Sequence, residues 1–361
     1  MKKTLVAVGS ISFVGIFSAA CGGTSQEAAP PPAPSTAQQL PNAVPPMPTP
    51  SPDAGLPAHA AAAPTATAAT GEDAPPTAQD WADLDKSASA EDARFTPELH
   101  AAAKKAASAS YPSTKAALTV LLKSPIRKPG NPERDKYRHP IETLTFIGLT
   151  PKMTVLEYGP GEGWYTELLA PMLATKGKLI VTTSDPKGPK TERGTLGGVR
   201  FERFLGKSPE LFGKVQSDVV DGKHPALPED GTLDAVLVFR GMHGMEQQGK
   251  VADWLAAIHH ALKPNGILGI VQHRAPVGAD PVASAKNGYL PEAWVIQQVE
   301  AAGFKLAGKS EINANPKDTK DYAAGVWTLP PTLRLKDKDR DKYLAIGESD
   351  RMTLKFVKVG K

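Results

Sequence analysis

VLEYGPGEGWYTELLAP, residues 155–171, sets the frame for the whole chain. Met153 to Glu157 is short, apolar and rich in β-formers, which predicts a buried strand. Leu168, Leu169, Met172 and Leu173 recur at helical spacing and predict a helix from Trp164 to Leu173. Between them stand Gly159, Gly161 and Gly163. Strand, glycine turn and helix in that order bring backbone amides close to a ligand; Gly159 and Gly161 permit the approach, and Gly163 eases helix against strand. A dinucleotide site needs G-x-G-x-x-G facing a pyrophosphate. Here the third glycine comes one residue early, and Trp164 occupies the place where close packing is wanted. Glu157 precedes the first glycine by two, where its carboxylate repels a diphosphate and favours a ligand bearing an ammonium group.

The flanking sequence extends the alternation of strand and helix. Lys178–Thr183 reads as a second strand ending at Ser184 and Asp185, followed by a helix over Val199–Phe212. Lys214–Val220 reads as a third strand ending at Asp221, and Leu233–Phe239 (LDAVLVF) as a fourth. A helix over Lys250–Leu262 and the turn Lys263-Pro-Asn-Gly266 lead to a strand over Ile267–His273. Past Pro291 come a helix to Ala302, a strand over Phe304–Ile312 and a last strand over Met352–Val359. Upstream, Thr96 suits a helix N-cap, Pro97 the first helical position and Glu98 the positive helix end, predicting a helix over Pro97–Ser108. Helices over Ser113–Leu122 and Arg134–Gly148 follow, the second limited by Pro140. Asn313–Asp350 is longer than a hairpin loop and reads as a lid or substrate wall.

The pattern E-x-G-x-G-x-G resembles the cofactor turn of class I S-adenosylmethionine-dependent methyltransferases. From about Ser124 to the end the chain resembles a bacterial family of predicted methyltransferases of that class, many of them exported. The resemblance rests on RDKYRHPIETLTFIG, VLEYGPGEGWYTELLAP, VFRGMHGM, LKPNGILGIVQHRAP, SEINANPKDTKD, GVWTLPP and IGESDRMTLKF. It implies an α/β, Rossmann-like fold with a seven-stranded, mostly parallel sheet and helices on both faces. It also implies S-adenosylmethionine as cofactor and a small-molecule methyl acceptor. VFRGMHGM departs from the family-like form VFRNxHNW, with Gly241 and Gly244 in place of amides and Met245 in place of the indole.

Within that fold, Glu157, Tyr158, Gly159, Gly161, Gly163 and Phe239 form the cofactor-facing set. Asp185 can accept the two ribose hydroxyls, or be a turn aspartate before Pro186; Asp221 can accept the adenine amino group, or cap an exposed turn. Methyl transfer needs a nucleophile in line with the sulfonium and, for some acceptors, a base. The ends of the fourth and fifth strands supply Arg240 with His243, and His273 with Arg274. Either histidine can serve as general base and either arginine can hold an anionic substrate; the plainer alternative is that all four cap strands and bind loops. His259 and His260 lie on an ordinary helix, and no metal site is expected.

The amino terminus carries different information. Lys2 and Lys3 precede the apolar run Thr4–Phe17, which suits a signal-peptide core and is short for a membrane span. Ser18, Ala19 and Ala20 before Cys21 resemble a bacterial lipobox, although Ser18 stands where an aliphatic residue is usual. The expectation is a signal peptide over 1–20, lipidation at Cys21 and, by the residues after it, an outer-membrane anchor facing the periplasm. Cys21 is the single cysteine, so an intrachain disulfide is impossible. Proline and alanine dominate residues 21–90, which reads as a tether unable to bury enough surface to fold. A helical extension over 91–150 and the methyltransferase-like domain over 151–361 complete the expected plan. The net charge of +4, from 42 basic and 38 acidic residues, includes no dense basic run that would argue for nucleic acid.

Overall fold

A computed structural model describes residues 74–227 and 230–360. The signal segment, Cys21 and the tether as far as residue 73 lie outside the described residues. The strands are β1 (Thr154–Tyr158), β2 (Lys178–Thr183), β3 (Gln216–Val219), β4 (Leu233–Phe239), β5 (Leu262–His273), β6 (Phe304–Ser310) and β7 (Arg351–Lys358). They form one sheet in the order β3-β2-β1-β4-β5-β7-β6. The pairs from β3 through β5 are parallel, and β7 runs antiparallel to both β5 and β6. This is the seven-stranded, Rossmann-like class I methyltransferase fold.

The order follows from burial on both faces. Along β4, Ala235, Leu237 and Phe239 point into one core, while Val236 and Val238 point into the other. Near-continuous apolar runs of this kind suit a parallel strand covered on both sides. The first core packs the sheet against Leu168 and Leu169 of the Thr166–Leu173 helix and against Leu118 and Leu144 upstream. The second packs it against Trp254, Leu255 and Ile258 of the Val251–Ala261 helix. β1 and β4 are neighbours with Tyr158 beside Val238, yet their chains leave in opposite directions across the sheet. Their carboxyl ends therefore open a crevice at the reversal of strand order, the usual ligand position in open α/β sheets.

Several boundaries differ from the sequence expectation. The tether does not extend to residue 90: a helix spans Ala78–Arg94, begun by a capping box in which Thr77 and Asp80 satisfy each other's backbone amides. The alanines that suggest an unfolded segment are good helix formers once a cap is present. The helix is held by Leu84, by Glu91 on Lys207 at 2.8 Å and by Asp92 on Arg203 at 3.1 Å. Residue 150 is not a domain boundary either, because the described helices and the sheet share one compact unit. Arg127 donates to the buried Glu167 at 2.8 Å, and Asn131 to the same carboxylate at 2.9 Å. The helix expected over Arg134–Gly148 breaks at His139, whose φ of 39° is left-handed, and restarts with Pro140. The helix expected over Val199–Phe212 instead covers Arg193–Gly206, with a separate turn over Pro209–Phe212. Pro209 disfavours helical backbone at Ser208 and divides the two.

Candidate functional site

All three glycines of the turn are left-handed, with φ of 57° at Gly159, 60° at Gly161 and 78° at Gly163. A side chain at Gly159 or Gly161 would meet no atom within 4 Å, so both positions border open space. At Gly163 a Cβ would lie 2.4 Å from the Phe204 ring. The first two glycines thus keep the backbone accessible, and the third packs against the Arg193–Gly206 helix rather than against a strand. Thr182 accepts from the Gly159 amide at 2.9 Å, and Pro160 from the Gly163 amide at 3.0 Å.

Beside this turn lies a cavity of about 590 Å³ at the carboxyl ends of β1, β4 and β5. Such a volume suits a small-molecule site. Gly159, Gly161, Glu162 and Trp164 form one wall; Phe239, Arg240, His243 and His273 form the strand-end wall. Val326, Trp327, Pro330, Pro331 and Thr332 come from the long loop before β7, which supplies one side of the cavity. Asn315 ties that loop back to the carbonyls of Ile346 and Glu348, and Asp318 accepts from the Asp350 amide at 2.8 Å and from the Tyr289 hydroxyl. Arg134, Arg138, Glu348 and Ser349 complete the lining.

Of the predicted residues, Gly159, Gly161, Phe239, Arg240, His243 and His273 meet at the cavity. Glu157 does not line it. The side chain is 3% exposed and its carboxylate accepts from Thr166 Oγ1 at 2.7 Å, beneath the start of the next helix. Burial raises its pKa to about 7 against the pull of Thr166 and Arg240. One carboxylate oxygen, expected to face an ammonium group, is thus engaged by an internal hydrogen bond. Tyr158 turns to the opposite face, edge-on to Trp254 at 4.8 Å. Asp185 is exposed and accepts from the Lys187 amide at 2.8 Å, and Asp221 accepts from His224 at 2.6 Å and from the Lys223 amide at 2.8 Å. His224 holds the Asp221 carboxyl below its ordinary range. Both aspartates satisfy their own turns, and neither lines the cavity. Arg274 is not free for substrate: its guanidinium pairs with Glu292 at 3.0 Å, Glu311 at 2.6 Å and Asp350 at 3.0 Å.

The two histidines differ in their partners. Gln272 is fully buried, and its amide nitrogen faces the Gly288 carbonyl at 3.0 Å and His243 Nδ1 at 3.3 Å. A nitrogen fixed by a carbonyl must donate to Nδ1, which leaves the His243 proton on Nε2. In that tautomer His243 presents a hydrogen-bond donor at Nε2. His273 shares a hydrogen bond with Ser349 and packs 5.9 Å from the His243 ring. Burial lowers the His243 pKa to about 4, and burial followed by His243 lowers that of His273 well below its ordinary value. Both rings are neutral at pH 7. The His243 C2 proton is accordingly expected to keep a constant chemical shift between about pH 5.5 and 8 in an NMR titration; a midpoint near the free histidine value would contradict its burial.

Sequence reasoning overlooked Arg134, Arg138 and Glu348. Arg134 and Arg138 stand four apart in RDKYRHP, and Glu348 lies in IGESDRMTLKF, but nothing local links these segments. Among the described residues no cluster of histidine, cysteine or acidic side chains is disposed to hold a metal ion.

Fold and site together define a protein of the class I methyltransferase fold with a ligand-accessible glycine turn at the switch point of its sheet. No family model and no curated protein matches the sequence. Among solved structures it is similar to a SAM-dependent methyltransferase from Aquifex aeolicus, at 18% identity and a TM-score of 0.40 over 63% of this chain and 94% of that one. It is similar to the [4+2]-cyclase SpnF at 17% identity, TM-score 0.43, over 70% and 98% of the two chains. A geranyl diphosphate methyltransferase in complex with SAM gives 16% identity and a TM-score of 0.41 over 67% and 95%. The strand order, not these overlaps, defines the fold class.

Proposed function

We propose that this chain is an S-adenosylmethionine-dependent methyltransferase acting on a small molecule held in the cavity. The observation that carries the reading is the open bend at Gly159 and Gly161, left-handed at both glycines and bordering the cavity at the junction of β1 and β4. The bend is a cradle that any side chain would fill, and the fit to an amino-acid-nucleoside cofactor rests on it. When bound, that cofactor supplies an electrophilic methyl group. Backbone around Gly159 and Gly161 would hold it, and Phe239 gives an apolar surface beside it. His243 donates from Nε2 to orient the acceptor, and His273, held by Ser349, lines the same space. The loop from Val326 to Thr332 excludes water from the same space.

Calorimetric titration with S-adenosylhomocysteine tests the reading. Gly161→Val forces a β-branched residue into left-handed backbone and fills the cradle, so binding is expected to fall at least about 100-fold with the fold retained by circular dichroism. Unchanged affinity in that variant would remove the cofactor from the bend. A second reading, a ligand-binding lipoprotein on this fold without catalysis, draws support from Asp185 and Asp221, which are turned into their own turns. Binding without turnover across a panel of acceptors would favour it. We propose that either protein is exported and tethered through Cys21 to the outer membrane, a reading that the lipobox-like run before Cys21 supports; release of the Cys21→Ser protein in soluble form from cell envelopes is the corresponding test.

A further inference from the structure

We propose that the cavity selects an acceptor bearing an anionic group, a carboxylate or phosphate, on a flat apolar body, with Arg240 receiving the anion. The inference rests on the reading of the cavity as the acceptor site and adds the acceptor's chemical class. Three arginines line the cavity, Arg134, Arg138 and Arg240, and Arg351 reaches the same Glu348 from β7. Glu348 is the carboxylate they share: Arg134 approaches it at 2.8 Å, Arg138 at 3.2 Å and Arg351 at 2.7 Å. Arg240 joins no ion pair among the described residues. Glu162, the other acid of the lining, is paired with Lys128 at 3.1 Å. Four cations therefore surround one carboxylate, and the surplus faces the cavity.

Three of these four cations carry a buried nitrogen without a partner, Arg351 at Nε and two of the lining at Nη1. Nη1 of Arg138 and Nη1 of Arg240 are buried without a hydrogen-bond partner among the described residues. Arg138 is 3% exposed and cannot swing out to water, because its guanidinium lies on the Trp164 ring at 4.6 Å. Arg240 is fixed by a left-handed backbone, φ 60°, and by its amide on the Val271 carbonyl at 2.6 Å. Unpaired buried guanidinium is costly, and planar N–H groups suit the oxygens of a carboxylate or phosphate. A neutral acceptor would leave the cost in place. Phe239, Trp327, Pro330 and Pro331 contribute apolar surface to a wall that also holds His243, His273 and Ser349, and that surface suits a ring or similar planar body carrying the anion.

The test is calorimetric titration of the purified protein with 1-naphthoate, 1-naphthyl phosphate and neutral 1-naphthamide, each with and without saturating S-adenosylhomocysteine. One of the two anions is expected to bind at least about tenfold tighter than the amide, and the tighter one assigns the class. Arg240→Gln is expected to erase that preference while S-adenosylhomocysteine affinity changes by less than about twofold; Arg240→Lys, which keeps the charge, retains part of it. Equal binding of anions and amide to the unaltered protein, or no anion binding, overturns the proposal even if the Gln variant fails to fold. Loss of S-adenosylhomocysteine binding in step with the anion also overturns it, since Arg240 would then serve the cofactor's own carboxylate. Anion selectivity without any S-adenosylhomocysteine binding would uphold the anion site and refute the cofactor reading.

Discussion

Glu348→Gln is expected to lower the unfolding free energy by about 3–5 kcal/mol, read from the urea midpoint at neutral pH. Glu348 is 4% exposed and joins two parts of the chain: Arg134 and Arg138 before the glycine turn, and its own segment through Arg351 at the start of β7. Burial raises the pKa of this carboxyl, but Arg138, Arg351, Arg134 and Arg240 outweigh burial and hold it well below the ordinary range. Glutamine keeps the shape and removes the charge, so several guanidinium groups remain buried with no counterion. The pH dependence gives the control. A depressed folded-state pKa contributes stability that is present above the unfolded value of 4.5 and is lost as pH falls towards the folded one. The gap between parent and variant should therefore narrow steadily below about pH 4.5. A loss under about 1 kcal/mol would mean that the arginines find other partners or water.

The second large effect has the opposite sign. Glu157 is buried with its pKa raised to about 7, so between pH 4.5 and 7 the folded state holds a proton that the unfolded state has released. Stability from this group is full below 4.5 and declines as pH rises to 7, by about 3 kcal/mol in all. Glutamine imitates the protonated acid and still accepts from Thr166. Glu157→Gln should thus match the parent near pH 4.5 and exceed it by up to that amount above pH 7. Parallel pH profiles for the two proteins would show that the carboxylate is ionised in the fold, and would restore a role for it opposite a cationic ligand.

The fold was legible because each central strand is an apolar run bounded by turns, and LDAVLVF over 233–239 is such a run from end to end. The glycine turn was legible for the same local reason. Residues just past strand ends were found as well: Phe239, Arg240, His243 and His273 reach the cavity because a strand's terminus fixes where the next residues go. The electrostatics were not legible. A carboxylate at position 157 reads as ligand-facing, but its partner Thr166 is a matter of how a helix returns over the strand. Asp185 and Asp221 sit at the expected strand ends, yet each is closer to its own turn amides than to the cavity. The arginine cluster was invisible because positions 134, 138, 240 and 351 meet only when β7 is in place. The helix at 78–94 was missed because its alanines and serines resemble the segment before it, and its anchors, Lys207 and Arg203, lie far downstream.

The position of β7 also bears on how the molecule is made. β6 precedes β7 in the chain but is joined to the sheet only through it, since β7 lies between β5 and β6. Until the residues after position 350 are in place, the edge of β5 stays open and β6 has nowhere to dock. The same segment brings Glu348 to its cations, so charge neutralisation and sheet closure depend on one stretch of chain.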